Sequence, residues 1–112
     1  MDVEPKFFFF PGSTPTFEFI LPVEVDIAGG DILFVTLSQG YQTVLEFDQD
    51  SQALQAEGNS VLLTMSQRDT LLFKQGDCEA QIRYLLQDGT SDVSCPIHGR
   101  VGRTQKDEEI TA

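Results

Sequence analysis

The sequence predicts an all-β protein, an antiparallel β-sandwich of about seven strands. Short runs of alternating apolar and polar residues recur about every ten residues and are separated by turn residues, which is typical of a sandwich or barrel. Helical periodicity is rare, and the aromatic residues, nine of them Phe, favour pleated and half-buried surfaces. A chain of 112 residues is expected to form one domain with its own core.

The first half of the chain contains three strand-like runs. Thr16–Leu21 alternates between two flanking prolines, which suit strand ends. Ile32–Ser38 is apolar at nearly every position, which is typical of a strand covered on both faces or of one face that meets a partner. Tyr41–Asp48 alternates again after a turn at Gln39-Gly40, so the last two runs predict a hairpin.

The second half predicts a loop, a strand and a final hairpin. Gln49–Asn59 is polar and is interpreted as a loop with a short strand around Ala53–Ala56, and Ser60–Met65 is a further strand. Cys78–Gln87 alternates along its whole length and ends at Asp88-Gly89, two residues that tolerate positive φ in a hairpin turn. The return strand also alternates, and its residues on one face are Val93, Cys95, Ile97 and Val101.

One helical turn is expected between these strands. Ser66 and Asp69 have the spacing of a capping box, in which each side chain accepts a hydrogen bond from the other residue's backbone N–H. The turn would cover Gln67–Phe73 and place Phe73 on the end of the core. We therefore expect residues 1–102 to form the sandwich, with 1–11 as an extra strand or docking arm and 103–112 as a flexible acidic tail.

The charge balance excludes several classes of partner. The formal net charge is −11, with seven Lys and Arg against eighteen Asp and Glu. Binding to nucleic acid needs a basic surface, so we expect no nucleic-acid partner. Anionic membrane surfaces are disfavoured for the same reason. No run approaches the roughly 18 apolar residues of a transmembrane helix, and no signal-peptide pattern is found, so export by the general pathway is not expected.

The two cysteines are predicted to be buried thiols. A two-residue turn at Asp88-Gly89 would pair Cys78 with Gly99 and Cys95 with Ile82. The cysteines would then lie four positions out of register, roughly 14 Å apart, whereas a disulfide needs Cα atoms within about 7 Å. Free thiols agree with a reducing compartment. The alternative is a disulfide or a reactive thiol.

No catalytic, cofactor or metal site is predicted. His98 is the only histidine, and it falls on the face opposite to Cys95. A zinc site needs three or four ligands in register, and neither a nucleophile elbow nor a glycine-rich phosphate loop is present. Aspartates near strand ends are expected to cap turns, with calcium binding as the alternative. The chain is therefore expected to lack cofactors and not to be an enzyme.

The candidate interface consists of apolar residues that one small core does not require. Four consecutive phenylalanines would face both sides of a strand. They are interpreted either as an edge strand with one side buried or as a docking arm, because aromatic residues are enriched in interface hot spots. The second face of the Ile32–Ser38 strand could extend such a patch. The candidate residues are Phe7, Phe8, Phe9, Phe10, Ile32 and Phe34.

Three segments, in order, resemble small uncharacterised proteins carried by phages and prophages of gut Firmicutes. Gly12–Pro22 resembles their opening. Leu63–Phe73 resembles their second signature, a strand followed by Ser/Thr-Gln, an acidic pair, Thr-Leu and an aromatic residue. Gln81-Ile82-Arg83, followed by Asp88-Gly89 and Ser94, resembles the third. The second signature has Arg68 within its acidic pair, and the phenylalanine run lies outside the family pattern.

These proteins are similar in pattern to the immunoglobulin-like N-terminal domain of phage baseplate upper proteins. The resemblance implies an immunoglobulin-like sandwich with a structural, virion or tail-associated role, located in the virion or the host cytoplasm. Its partners would be other virion proteins or further copies of the chain, bound through strand edges and an aromatic patch, and no catalytic residue is implied. The alternative is a carbohydrate-binding or adhesion module, which would expose an aromatic platform, often with calcium.

Overall fold

The computed structural model describes residues 5–94, 96–106 and 108–111. These residues form nine strands and one helical turn in two sheets, which confirms the predicted β-sandwich and gives it two more strands than expected. The strands are β1 Phe7–Phe9, β2 Thr16–Ile20, β3 Ile32–Gln39, β4 Gln42–Asp48, β5 Leu54–Glu57, β6 Ser60–Thr64, β7 Gly76–Leu85, β8 Ser91–Val93 and β9 Ile97–Val101, and the helix is α1 Gln67–Thr70.

The two sheets differ in width. The large sheet has the order β1-β9-β7-β3-β4, with β8 beside β7, and the small sheet has the order β2-β6-β5. Only β1 and β9 pair in parallel among the described ladders. In the immunoglobulin sandwich of variable type, β2, β6 and β5 correspond to strands B, E and D, and β9, β7, β3 and β4 to G, F, C and C′. The strand order is therefore immunoglobulin-like.

The core forms where the inward faces of the two sheets meet. In β7 every second residue is buried, as the alternation of apolar residues predicts, and in β3 the buried residues are Leu33, Val35 and Leu37 although the strand is apolar at nearly every position. The small sheet contributes Phe19, Val61 and Leu63 to the same cluster. Phe73, just beyond α1, stacks edge-on against Phe9 with ring centroids 5.1 Å apart. The predicted position of Phe73 on the end of the core is confirmed.

The parallel pairing of β1 with β9 depends on a glycine. Phe7 pairs with Gly99 in the ladder, and the Phe7 ring lies over the position that a Cβ atom at residue 99 would occupy. From there the ring reaches Phe17 of the small sheet, at a centroid distance of 5.1 Å. A side chain at position 99 would displace the ring, so Gly99 allows β1 to close this side of the sandwich.

A buried threonine fixes one end of the sandwich. Thr70 of α1 is fully buried. Its Oγ1 accepts a hydrogen bond from the N–H of Gly12 at 2.9 Å and lies 2.8 Å from the carbonyl oxygen of Ser13, to which it donates. The capping box expected at Ser66 and Asp69 is present and begins this helical turn. Thr70 thereby joins the β1–β2 connection to α1, although the two are 58 residues apart in sequence.

A buried aspartate performs the corresponding role at the opposite end. Asp31 is 7% exposed. Its Oδ2 accepts the N–H of Asp26 at 2.8 Å, and its Oδ1 accepts the N–H of Gln87 at 3.0 Å. Asp31 therefore joins the β2–β3 connection to the loop after β7. The sequence did not distinguish this residue from the other aspartates near turns.

The β3–β4 hairpin turns one residue later than expected. Its central residues are Gly40 and Tyr41, which have φ angles of 56° and 68° and form a turn of type I′. Tyr41 is fully exposed and does not belong to the strand. A register shift near Val44 also interrupts the predicted alternation, so that Val44 and Leu45 both pack against the core.

The final hairpin has a longer loop than the two-residue turn considered for Asp88-Gly89. The N–H of Leu86 bonds to the carbonyl oxygen of Thr90, and Gly89 takes a φ of 93°, the geometry of a three-residue loop. Consequently Val93 pairs with Arg83 and is exposed on the outer face, which corrects its predicted place on the same face as Ile97 and Val101. Farther along, Cys78 does pair with Gly99 as predicted. The predicted position of Cys95 lies outside the described residues.

The boundary between domain and tail at residue 102 stays a prediction. The N–H of Gly102 bonds to the carbonyl oxygen of Phe9 at 2.9 Å, so the sandwich extends at least to this residue. Beyond it, the Gln67 side chain forms hydrogen bonds of 3.0 and 3.2 Å with the main chain of Ile110.

A double-mutant cycle tests the contact between Phe7 and Gly99. Gly99→Ala should lower the free energy of unfolding by about 1–3 kcal/mol, because the added methyl group overpacks against the ring. In a Phe7→Ala background the same change should cost less than about 0.5 kcal/mol. Urea titrations of the four proteins give these values. Equal costs in both backgrounds would contradict the contact.

The buried Thr70 hydroxyl is tested by Thr70→Val, which preserves shape but leaves the Gly12 N–H and the Ser13 carbonyl without this partner. The expected loss is about 1–3 kcal/mol of unfolding free energy. Thr64→Val is the matched control, because the Thr64 hydroxyl bonds only to exposed Thr16 among the described residues. The control should change stability by less than about 0.5 kcal/mol. Similar losses in both variants would argue against the role of Thr70.

Candidate functional site

The histidine considered for metal binding, His98, lies beside Asp77 and near Arg100. Asp77 lies 3.7 Å from Nε2 of His98 and 3.9 Å from Nε of Arg100, on the outer face of the large sheet. Exposed ion pairs of this kind contribute at most about 1 kcal/mol. Within residues 5–94, 96–106 and 108–111, no group of three or more His, Cys, Asp or Glu side chains is placed to hold a metal ion.

The aspartates at strand ends cap turns, as expected from their positions. Asp26 accepts the N–H of Gly29 at 3.1 Å, and Asp48 accepts that of Asp50 at 2.8 Å. Asp88 accepts the N–H of Thr90 at 2.8 Å, and this hydrogen bond is the main reason that the pKa of Asp88 lies below its usual value. One carboxylate oxygen of each therefore accepts a hydrogen bond from a neighbouring backbone N–H.

Cys78 is a buried free thiol on the inner face of β7, with 2% of its surface exposed. Burial raises its pKa to about 12, and the negative charges of Asp77 and Glu79 act in the same direction. Since the thiolate is the reactive form, a thiol in this environment is a poor nucleophile at neutral pH. Cys78 is therefore a core residue.

The structure divides the predicted interface residues among three places. Phe7 and Phe9 point into the sandwich, where Phe9 is buried. Phe8 and Phe10 are each 49% exposed and form an edge-to-face pair, with centroids 5.0 Å apart, at the edge of the large sheet. Ile32 and Phe34 lie near the other end of the outer face of that sheet. The run thus lies at the edge of the large sheet, with Phe8 and Phe10 exposed on its outer side, Phe9 buried and Phe7 half-buried.

Ile32 and Phe34 belong to a larger patch on the outer face of the large sheet. Across the β3–β7 ladder, Ile32 is opposite Leu85 and Phe34 is opposite Arg83, and Arg83 is in turn opposite Val93 of β8. The four apolar side chains are 38–49% exposed. A shallow cavity of about 450 Å³ runs over the same surface. We call Ile32, Phe34, Leu85 and Val93, with Arg83 between them, the apolar patch.

The apolar patch and the Phe8–Phe10 pair do not merge. Phe8 is opposite Arg100, which is opposite Asp77, whereas Phe34 is opposite Arg83. Six residues along β7 therefore separate the two rows, roughly 20 Å at about 3.4 Å per residue. Polar and charged side chains, Glu79 and Gln81 among them, occupy the surface between the two.

A groove runs along the free edge of β2, and the sequence did not point to it. It has a volume of about 580 Å³ and is lined on one side by residues 16–22. On the other side it is lined by the inner residues Phe7, Ile82, Tyr84 and Ile97. Burial raises the pKa of Tyr84, and Asp92 and Glu24 act in the same direction.

Two residues of the apolar patch, Leu85 and Val93, were not identified from the sequence, for different reasons. Leu85 alternates outward on its strand and could have been included, because it stands among polar residues as an exposed leucine. Val93 was placed on the apolar face because a two-residue turn was expected. The three-residue loop of the final hairpin shifts the register of β8 by one position, which turns Val93 outward.

Comparison with known proteins does not identify a family for the chain. Neither a protein-family model nor a curated protein matches the chain. Among solved structures, the chain is similar to the V domain of amphioxus IgVJ-C2, with 14% sequence identity and a TM-score of 0.35, over 85% of this chain and 98% of that one. These values are too low for the similarity to bear on function.

The immunoglobulin-like sandwich is shared by domains with unrelated functions, so the fold does not by itself define a function. In the part of the chain that the structure describes, no helix has the length and apolarity needed to cross a bilayer.

The raised pKa of Cys78 predicts a loss of stability at alkaline pH. The thiol ionises near 9.0 in the unfolded chain but at about 12 in the folded protein. The unfolded state therefore loses the proton first, and the free energy of unfolding should fall between these values by up to about 1.4 kcal/mol per pH unit. Below the unfolded pKa the contribution of Cys78 is independent of pH.

Urea titrations at several pH values check this linkage. Cys95→Ser serves as the background, so that Cys78 is the only thiol, and Cys78→Ala is added to it. The doubly substituted protein should lose less stability above pH 9. Parallel curves for the two proteins would show that Cys78 does not contribute to the pH dependence.

Proposed function

We propose that the chain is a non-enzymatic protein-interaction module that binds its partner through the apolar patch. The observation that carries the proposal is the row of exposed apolar side chains on β3, β7 and β8. Apart from these side chains and Phe8 at the edge, the outward residues of β7 and β9 on this face are polar or charged. Contiguous exposed apolar surface of this kind marks interaction sites in soluble proteins.

The composition of the patch supports protein as its partner. An aromatic side chain and an arginine lie next to each other at its centre, since Phe34 pairs with Arg83. These residue types are enriched in interface hot spots. On the other side of Phe34 lies Asp48 of β4, so the patch has a positive charge at its centre and a negative charge at its border. A rim of this composition can fix the orientation of a partner.

We further propose a phage or prophage context, in which the module is a virion or tail-associated structural protein of the virion or the host cytoplasm. Its partners would be other virion proteins or further copies of the chain. The support is the resemblance of the three sequence segments. Two of them include residues that touch in the fold, because Thr70 of the second binds Gly12 and Ser13 of the first.

Sedimentation velocity over a concentration series tests the apolar patch. If the chain associates with itself, Phe34→Lys combined with Leu85→Lys should weaken association by about tenfold or more, because two charges would be desolvated at the interface. Leu72→Lys is the matched control, because Leu72 is 55% exposed and lies outside the patch. If the chain is monomeric, the same variants are compared for binding to structural proteins encoded beside it.

Several outcomes would count against the proposal. Equal binding by the patch variant and the Leu72→Lys control would exclude the patch as the interface. Flanking genes that include tail and capsid genes are expected, and the absence of any phage gene nearby would contradict the phage context. Glycan binding on an array, with or without calcium, would favour the carbohydrate-binding alternative.

A further inference from the structure

Among residues 5–94, 96–106 and 108–111, the small sheet has three strands. In the sandwich of variable type, four strands, A, B, E and D, form this sheet. Here the first strand, β1, pairs with β9 of the large sheet, and β2 is left at the edge of the small sheet. An edge strand presents unpaired N–H and C=O groups to which another strand can bind.

The register identifies the unpaired groups. In an antiparallel ladder, every second residue exchanges hydrogen bonds with its partner strand. The N–H of Leu21 bonds to Asn59, and the carbonyl of Pro15 accepts from Met65, so the odd-numbered residues of β2 face β6. The N–H and C=O groups of Thr16, Glu18 and Ile20 therefore point away from β6, into the groove along the free edge.

The groove has the dimensions and the floor that an added strand requires. Five residues of β2 extend over roughly 17 Å at about 3.3 Å per residue, enough for a strand of five or six residues. Phe7, Phe17 and Ile97 point into the sandwich but are only half-buried, and all three line the groove. Alternate side chains of an added strand would cover them.

The charges favour a basic partner over a second copy of the chain. The exposed charged residues that line the groove are Glu18, Asp92 and Lys6, and the whole chain carries −11. Antiparallel pairing of β2 with β2 of another copy would place the Glu18 side chains opposite or near each other, and like charges across a ladder destabilise it.

We propose that the free edge of β2 binds an extended segment of a partner protein as a fourth strand of the small sheet. Apolar residues at alternate positions of this segment face the half-buried aromatic floor, and a Lys or Arg lies near Glu18. The main-chain hydrogen bonds supply affinity and the alternate side chains supply specificity. The inference rests on the proposed interaction function and deepens it by naming a second surface and the chemistry of its ligand.

Amide hydrogen exchange measured by NMR tests the proposal on the full chain. The probe is the acetylated, amidated peptide KVKVKV at about 1 mM, the range of weak strand addition. It should slow exchange of the Thr16, Glu18 and Ile20 amides by about tenfold at saturation, because their N–H groups become hydrogen-bonded. The same peptide N-methylated at its three lysines should not protect them, because in antiparallel pairing these lysines lie opposite Thr16, Glu18 and Ile20 and their N–H groups would face β2.

A charge reversal separates strand addition from unspecific attraction. Glu18→Lys should weaken binding of KVKVKV and strengthen binding of the acidic peptide EVEVEV by about tenfold each. Glu57→Lys is the matched control, because Glu57 is exposed at the end of β5, the other edge strand of the same sheet. This control should leave the binding of both peptides unchanged.

Four results would overturn the inference: no protection by KVKVKV, equal protection by the N-methylated peptide, protection confined to other strand edges, or equal effects of Glu18→Lys and Glu57→Lys. Protection of the three amides in a dimer without peptide would identify a second copy as the occupant instead. None of these outcomes depends on Phe34 or Leu85, so failure here is distinguishable from failure of the apolar patch.

Discussion

The pairing of the first strand with the last one, rather than with the second, is the constraint on which the rest of the structure depends. It makes the large sheet wide and the small sheet narrow, with six and three strands. The Phe7 and Phe9 rings then cover the side of the core that the small sheet does not reach, which requires Gly99 to have no side chain. Because β1 does not pair with β2, β2 lies at the edge of the small sheet.

Local patterns predicted the elements whose residues alternate without interruption. β2 and β7 follow from period-two alternation, β3 follows from a continuous apolar run, and α1 follows from the spacing of Ser66 and Asp69. Patterns fail where one extra residue enters, as at Val44, because a bulge changes the facing of the residues around it. The parallel pairing of β1 is a contact between distant segments, and no local pattern encodes it.

The candidate site could be predicted only in part, because it too depends on pairing between distant segments. Ile32 and Phe34 stood out because β3 is apolar on both faces. The full patch required the register between β3, β7 and β8, which depends on the length of one loop. The groove along β2 could not be predicted from one segment. It forms because β1 pairs with β9 of the large sheet, which leaves β2 at the edge of the small sheet.

The distance in sequence between β1 and β9 also affects how the chain behaves during its synthesis. Phe7 cannot pair with Gly99 until the ribosome has made the whole sandwich. At about 5–20 residues per second, the intervening segment takes roughly 5–20 s to make. For that time a run of four phenylalanines has no strand beside it, and such segments aggregate readily. The nascent chain is therefore expected to need protection by a chaperone until its last strand emerges.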